Sequence, residues 1–202
     1  MNAAEALSRV RALGVPVIDT ADAAATLKQS TTATTKTLSR LAQAGLITSV
    51  RQGTWWVNGS VDPYRLPQYL TAPLDSYLSL QTALHLHGMI EQVPSVYYAV
   101  SLARTQRVVT RVGTFSLHHL APEVFGGYEE TEHGLKLATA EKALFDFAYL
   151  SAGRSRIFTS LPELEVPRGF HRKELARWLT KISSERSRTI TQRKLDQFLG
   201  RA

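Results

Sequence analysis

The most constraining feature of this chain is the way its first 57 residues are punctuated. Three short runs of helical periodicity are each closed by a stop signal, and two β-favouring runs follow across a tight turn. Ala3, Ala6, Leu7, Val10 and Leu13 fall at helical spacing, and Gly14 and Pro16 end that run. The stretch "VPVID" leads to Thr20, expected as the N-cap of a second helix in "ADAAATLKQ", with Asp22 at the positive end of its dipole. After Gln29 and Ser30, the segment "STTATTKTLSRLAQAG" places Thr34, Leu38 and Leu41 on one face, and Gly45 ends it. "LITSV" and "GTWWV" then flank Arg51 and Gln52 as the two strands of a hairpin. Trp55 and Trp56 face opposite sides of the second strand.

This order predicts a winged helix-turn-helix over residues 1–62, with the third helix entering the major groove and the hairpin as the wing. The polar arc of that helix carries Thr32, Thr35, Lys36, Ser39, Arg40 and Gln43. Threonine is a mediocre helix former, yet it fills five of the eight positions from Ser30 to Thr37. Short hydroxyls suit phosphate oxygens and base edges, a threonine methyl can meet a thymine methyl, and Lys and Arg supply phosphate or guanine contacts. No acidic residue occurs in the 39 positions between Asp22 and Asp62, so no carboxylate there repels a phosphate backbone. The expected DNA-binding set is this arc together with Arg51 and Gln52 at the hairpin tip.

Charge distribution points the same way. The formal charge is +7, built from +3 in residues 1–60, −3 in residues 61–150 and +7 in residues 151–202. A basic front and a basic tail enclose an acidic middle, a pattern that suits a polyanion at the two ends and equally describes a solvated basic surface. With 44% hydrophobic residues the chain can bury a substantial core. It has no apolar run near the roughly 18 to 20 residues that span a bilayer, and its N-terminus lacks a signal-type apolar segment, so a cytoplasmic protein without membrane contact is expected. Zero cysteines exclude disulfides, cysteine-ligated zinc, iron–sulfur clusters and thiol catalysis.

Beyond the hairpin, "VNGSVDPYRLP" combines Asn58-Gly59, Pro63 and Pro67 and reads as a linker, with a second domain over residues 70–202. "DSYLSLQTALHLHGMI" is expected as one helix capped by Asp75, burying Tyr77, Leu78, Leu80, Leu84, Leu86 and Ile90. "SVYYAVSLA" and "RVVTRVGTFSLHHL" read as strands, "FGGYEETEHGLKLAT" as a turn, an acidic loop and a strand, and "AEKALFDFAYL" as a helix. The tail from Arg168 reads as two amphipathic helices, with stripes at Leu175, Trp178, Leu179, Ile182 and at Leu195, Phe198, Leu199. The fold class expected is α+β, a winged helix-turn-helix followed by a mixed α/β domain with a basic helical tail.

Three pieces beyond the hairpin, "YLSLQTALHLHGMIEQVP", "GTFSLHHL" with "FGG", and "LATAEKALFDF", resemble the AbiEi family, the antitoxins of type IV toxin–antitoxin systems. The resemblance covers nearly the whole chain, and its strongest parts are Tyr77 to Pro94 and Ala140 to Asp146. It implies an autorepressor that binds inverted repeats in its promoter, with a C-terminal domain that counters a co-encoded nucleotidyltransferase toxin without a stable complex, in phage resistance by abortive infection. It carries DNA contacts over to Thr32, Thr35, Lys36, Ser39, Arg40 and Arg51 and supplies no catalytic residue to transfer; no cofactor is expected, and because one such module buries little surface, two half-sites and a dimer on DNA are expected. A stand-alone regulator whose second domain senses a small molecule, and a DNA-modifying enzyme, are the competing readings.

Six histidines raise the question of a metal. His85 and His87 lie about 200° apart on a helix, and His118 and His119 face opposite sides of a strand, so neither pair shares an ion and no metal is expected. HExxH, Walker and GxSxG motifs are all missing from the sequence. Glu141, Lys142 and Asp146 resemble a nuclease set only loosely. Lys142 and Asp146, as i, i+4 neighbours, read as a helix-stabilising pair worth a few tenths of a kcal/mol.

Overall fold

The computed structural model describes residues 2–152, 161 and 163–200, a mixed α+β protein. It divides into one unit of Met1–Pro63 with Val109–Gly113, and a second of Tyr64–Val108 with Thr114–Ala202. No helix among the described residues is long and apolar enough to cross a membrane.

The first unit holds α1 (Ala3–Arg11), β1 (Val17–Asp19), α2 (Thr20–Leu27), α3 (Thr31–Gln43), β2 (Thr48–Arg51) and β3 (Thr54–Trp56). Asn2 Oδ1 caps α1 by accepting from Glu5 N at 2.8 Å, and Ser30 Oγ caps α3 by accepting from Ala33 N at 3.3 Å. The apolar stripes meet in one core of Ala6, Val10, Ile18, Ala23, Leu27, Leu38, Leu41, Ile47, Trp55 and Val57. Arg11 ties α1 to the end of β3, donating from Nε to Val57 O at 2.9 Å.

Two details differ from the sequence reading. "VPVID" is more than a lead-in, because Val17–Asp19 pairs antiparallel with β3 and completes a three-stranded sheet in the order β1-β3-β2. Thr20 is consequently the first residue of α2 and not its cap, which is Asp19. Its hydroxyl is engaged by the hairpin, donating to Gly53 O at 3.2 Å and accepting from Trp55 Nε1 at 2.9 Å. Trp55 joins the core, whereas Trp56, on the other face, is buried and donates from Nε1 to Asn58 O at 2.7 Å.

The second unit opens with a 3₁₀ turn at Pro63–Arg65 and α4 (Leu66–Leu70), where a linker was expected. Pro67 is tolerated because it stands in the first turn, where the missing N–H has no helical partner to lose. A six-stranded sheet follows, in the order β6-β7-β5-β4-β9-β8. Its strands are β4 (Ser76–Leu78), β5 (Tyr97–Ser101), β6 (Gln106–Thr110), β7 (Gly113–His119), β8 (Tyr128–Glu130) and β9 (Lys136–Ala138). The single helix expected from Asp75 is therefore wrong: Ser76–Leu78 lies inside the sheet, antiparallel to β5 and parallel to β9, and only Leu80–Leu86 is helical, as α5. A short apolar run buried on both sides looks the same to periodicity as a buried helix. Asp75 accepts from Lys136 Nζ at 2.7 Å instead of capping, and Leu86 is exposed. The acidic loop likewise separates two strands, β8 and β9, where one was expected.

The helix α6 (Ala140–Ser151) is buried at every position from Glu141 to Ala148, packed against α5, α7 (Arg172–Thr180) and α8 (Glu185–Leu199). Both tail helices bury the stripes read from the sequence: Leu175, Leu179, Ile182, Leu195, Phe198 and Leu199 belong to the core, with Trp178 packed beside it. Arg172, Lys173, Arg177, Lys181, Arg186, Arg188 and Arg193 are exposed.

One core group makes stability depend on pH. His118, in β7, is 4% exposed with Ser116 Oγ 2.8 Å from Nε2, and burial pushes its pKa down from 6.5 to about 4. A base whose pKa is depressed on folding stabilises the fold fully above its unfolded value and loses that contribution as pH falls from 6.5 towards 4. The difference between wild type and His118→Gln in urea unfolding should therefore change by on the order of 2 kcal/mol between pH 7 and pH 4. A constant difference across that window would remove His118 as the source.

Candidate nucleic-acid interface

Burial of Thr34, Leu38 and Leu41 fixes which side of α3 is left outside. Thr32, Thr35, Lys36, Arg40 and Gln43 are exposed and Ser39 is half-buried. Lys36 and Arg40 form no ion pair among the described residues, and the hydroxyls of Thr32 and Ser39 make no hydrogen bond to them. Thr35 is different. Its hydroxyl donates to Thr31 O at 2.8 Å, as Thr37 does to Ala33 O at 3.1 Å, so Thr35 presents a methyl and lone pairs outward and no free donor.

The hairpin residues are less uniform. Gln52 is exposed at the tip beside Gly53, whose φ of +80° suits glycine. Arg51 is half-buried, and its Nε donates to Thr54 Oγ1 at 3.3 Å, while that hydroxyl donates to Asp19 Oδ1 at 3.1 Å. Part of the Arg51 fork is thus held by the sheet.

A groove of about 550 Å³ runs between the C-terminal half of α3 and β2, lined among others by Ser39, Gln43, Ser49, Trp55 and Arg111. It includes only Ser39 and Gln43 of the expected DNA-binding set; Thr32, Thr35, Lys36 and Arg40 stand on the open arc, and Arg51 and Gln52 at the hairpin. Arg111 is the residue that sequence reasoning missed. It is exposed, and its backbone N donates to Val50 O at 2.9 Å, which fixes it beside β2. Nothing local to "VVTRVG" signals this, since the contact joins positions about sixty residues apart.

The segments that carry the family resemblance also converge. Tyr77 Oη and Ser79 Oγ donate to Asp146 Oδ2 at 3.1 and 2.7 Å, and Lys142 Nζ bonds Asp146 Oδ1. Lys142 and Asp146 are fully buried, so the expectation of an ordinary helix-surface pair is corrected to a sealed ionic cluster. Burial raises the Asp146 pKa against the pull of Lys142, lowers that of Lys142, and with the Asp146 charge lifts the Tyr77 phenol well above its usual value. The ammonium lies 4.5 Å from the Trp178 ring centroid, which replaces part of its lost hydration. Glu141 is not a member. It stands about 140° away from Asp146 around the helix, and its Oε1 accepts from His171 N at 2.6 Å.

Three of the six histidines each lie against a backbone carbonyl. His85 Nδ1 lies 3.3 Å from Ile90 O, His87 Nε2 2.7 Å from Ala138 O, and His119 Nδ1 3.2 Å from Ala103 O.

No family model matches the chain, and no characterised protein matches it at a significant level.

Proposed function

We propose that the chain is a winged helix-turn-helix repressor of the AbiEi antitoxin kind, which binds inverted repeats in its own promoter through residues 1–62. In this reading α3 enters the major groove, β2 and β3 form the wing, and the second unit counters a co-encoded nucleotidyltransferase toxin. The observation that carries the DNA-binding half is the outward arc of α3: Lys36, Arg40, Thr32 and Ser39 are left without protein partners, while the opposite side of the helix is committed to the core. A solvated helix has no need to leave cations unpaired beside free hydroxyls, whereas a phosphate backbone uses both. Two half-sites follow from the small surface that one module covers, so two copies occupy the operator. Arg111, fixed beside β2, extends the cationic edge of the same unit.

Gel shift on the chain's own promoter, across a salt series, tests this. Lys36→Ala/Arg40→Ala should bind roughly 30-fold more weakly, about 1 kcal/mol for each phosphate contact, with the salt slope shallower by about 0.9 per contact. Arg111→Ala should reduce the slope by one contact. Equal affinity for promoter and random-sequence DNA would overturn the repressor reading. The antitoxin half is tested separately, by growth rescue on co-expression with the adjacent nucleotidyltransferase. The double variant should rescue as wild type does, and failure of wild type to rescue would overturn that half.

A further inference from the structure

The second unit contains a cavity of about 640 Å³, whose lining includes Glu141, Phe170, His171, Arg177, Trp178 and Lys181. Its size is in the range of small-molecule and cofactor sites. Three properties restrict what would fill it.

Glu141 is 8% exposed, and its two oxygens are used unequally. Oε1 accepts from His171 N, while Oε2 has no hydrogen-bond partner among the described residues. Glu141 thus brings to the cavity lining an oxygen that no group among the described residues engages and that can accept from a donor on whatever enters. Next, the Trp178 indole is flanked by two cations of different standing. Lys142, 4.5 Å from the ring centroid, is held by Asp146, whereas Lys181, at 4.0 Å, is exposed and has no carboxylate partner among the described residues. Lys181 is therefore free to leave the ring face and follow an anion. Finally, Arg177 also lines the cavity, but its Nη1 is shared between both oxygens of Glu174 at 3.0 and 2.9 Å, and Glu174 and Glu129 belong to the same lining, so Lys181 is the cation left for an incoming anion.

We propose that this cavity binds a purine nucleoside phosphate. The base stacks on Trp178 in the place that Lys181 now covers, an amino or imino N–H of the base donates to Glu141 Oε2, and Lys181 meets the phosphates. Each part of the ligand answers one part of the lining: a flat two-ring body for the indole, a single donor for the unengaged Glu141 oxygen, and negative charge for Lys181, which has no carboxylate partner among the described residues, whereas Arg177 is paired with Glu174. A metal ion alone fits less well, since no group of three or more His, Asp or Glu gathers as a ligand set among the described residues.

Isothermal titration of the full chain with ATP, GTP, UTP, adenosine and free amino acids decides the matter. The purine nucleotides are expected to bind in the micromolar range, with adenosine at least 10-fold weaker. Glu141→Gln retains an acceptor for His171 N but sets an amide donor against the base, and should weaken ATP or GTP at least 10-fold. Lys181→Ala, on an exposed side chain, should bring ATP down towards adenosine and leave adenosine unchanged. Four results would overturn the proposal: no heat with ATP or GTP at millimolar concentration, UTP binding as tightly as the purines, amino acids binding in their stead, or both variants titrating as wild type. Circular dichroism of each variant separates lost binding from lost fold. Neither residue belongs to the unit that contains α3, so promoter affinity measured on the same preparations fails or survives independently of nucleotide binding.

Discussion

Replacing Asp146 with alanine is expected to lower the unfolding free energy by about 3–5 kcal/mol, because it strands the buried ammonium of Lys142 together with two donors, Tyr77 Oη and Ser79 Oγ. The size of the effect comes from burial. At a surface, the same i, i+4 pair would be worth about 0.3–0.5 kcal/mol, since water would take over each partner's charge. Here Lys142 and Asp146 are fully buried, and water cannot reach what is left behind. The pair as a whole is a different matter, because its attraction first has to offset the desolvation of two ions. Lys142→Met/Asp146→Asn, which removes both charges at similar volume and keeps a side-chain oxygen to accept from Tyr77 Oη and Ser79 Oγ, should therefore unfold within about 2 kcal/mol of wild type. Urea unfolding of the wild type, the single variant and the double variant checks both statements. A single variant that costs less than about 1 kcal/mol would mean that the cluster is open to water.

Which parts of this molecule were legible in its sequence follows from how local their causes are. The helices of the first unit could be read because Gly14, Pro16 and Gly45 stop them and because their apolar stripes are short and clean, and the stripe of α3 is buried as expected. The exposed positions of Thr32, Lys36 and Arg40 follow from that stripe by geometry alone. β1 was missed because three residues, "VID", carry too little periodicity, and their partner β3 lies some forty positions away. Tyr77 shows a different limit: both helix and central strand place it in a core, and only the pairing of β4 with β5 and β9 decides between them. The sealed Lys142–Asp146 pair is illegible for a further reason. Its spacing is that of any surface ion pair, and what makes it exceptional is the Trp178 ring and the hydroxyls of Tyr77 and Ser79, which come from elsewhere in the chain. Arg111 and the free oxygen of Glu141 share this cause, since neither the neighbour that positions Arg111 nor the cavity that leaves Glu141 half-used is encoded nearby.

The "FGG" segment, noted in the sequence only as part of a resemblance, gains a physical reason from this packing. Gly127 has φ +73°, and a Cβ built on it would stand 2.5 Å from Trp178 Cζ2 and 3.1 Å from the Lys142 stem. Gly127→Ala is therefore expected to destabilise by about 3 kcal/mol or more, through two separable causes. The left-handed backbone costs an L-residue about 1–2 kcal/mol, and the remainder comes from forcing apart an indole and a lysine stem that are already in contact. The indole is poorly placed to give way, because Lys142 is anchored to Asp146 beneath it. A double-mutant cycle isolates the two causes. In a Trp178→Ala background the overlap with the ring is gone, and Gly127→Ala should add only about 1–2 kcal/mol, the backbone cost. If Gly127→Ala cost the same with and without the indole, close packing against Trp178 would not be the reason for glycine at this position. The amide N of Thr139 donates to Gly127 O at 3.0 Å, and Thr139 Oγ1 caps α6 by accepting from Lys142 N at 3.3 Å. A shift of the backbone at Gly127 therefore travels directly to the start of the helix that carries Glu141, Lys142 and Asp146. Purine nucleotide affinity should fall with stability in Gly127→Ala, whereas the promoter affinity proposed for the other unit should fall only as far as the folded fraction does.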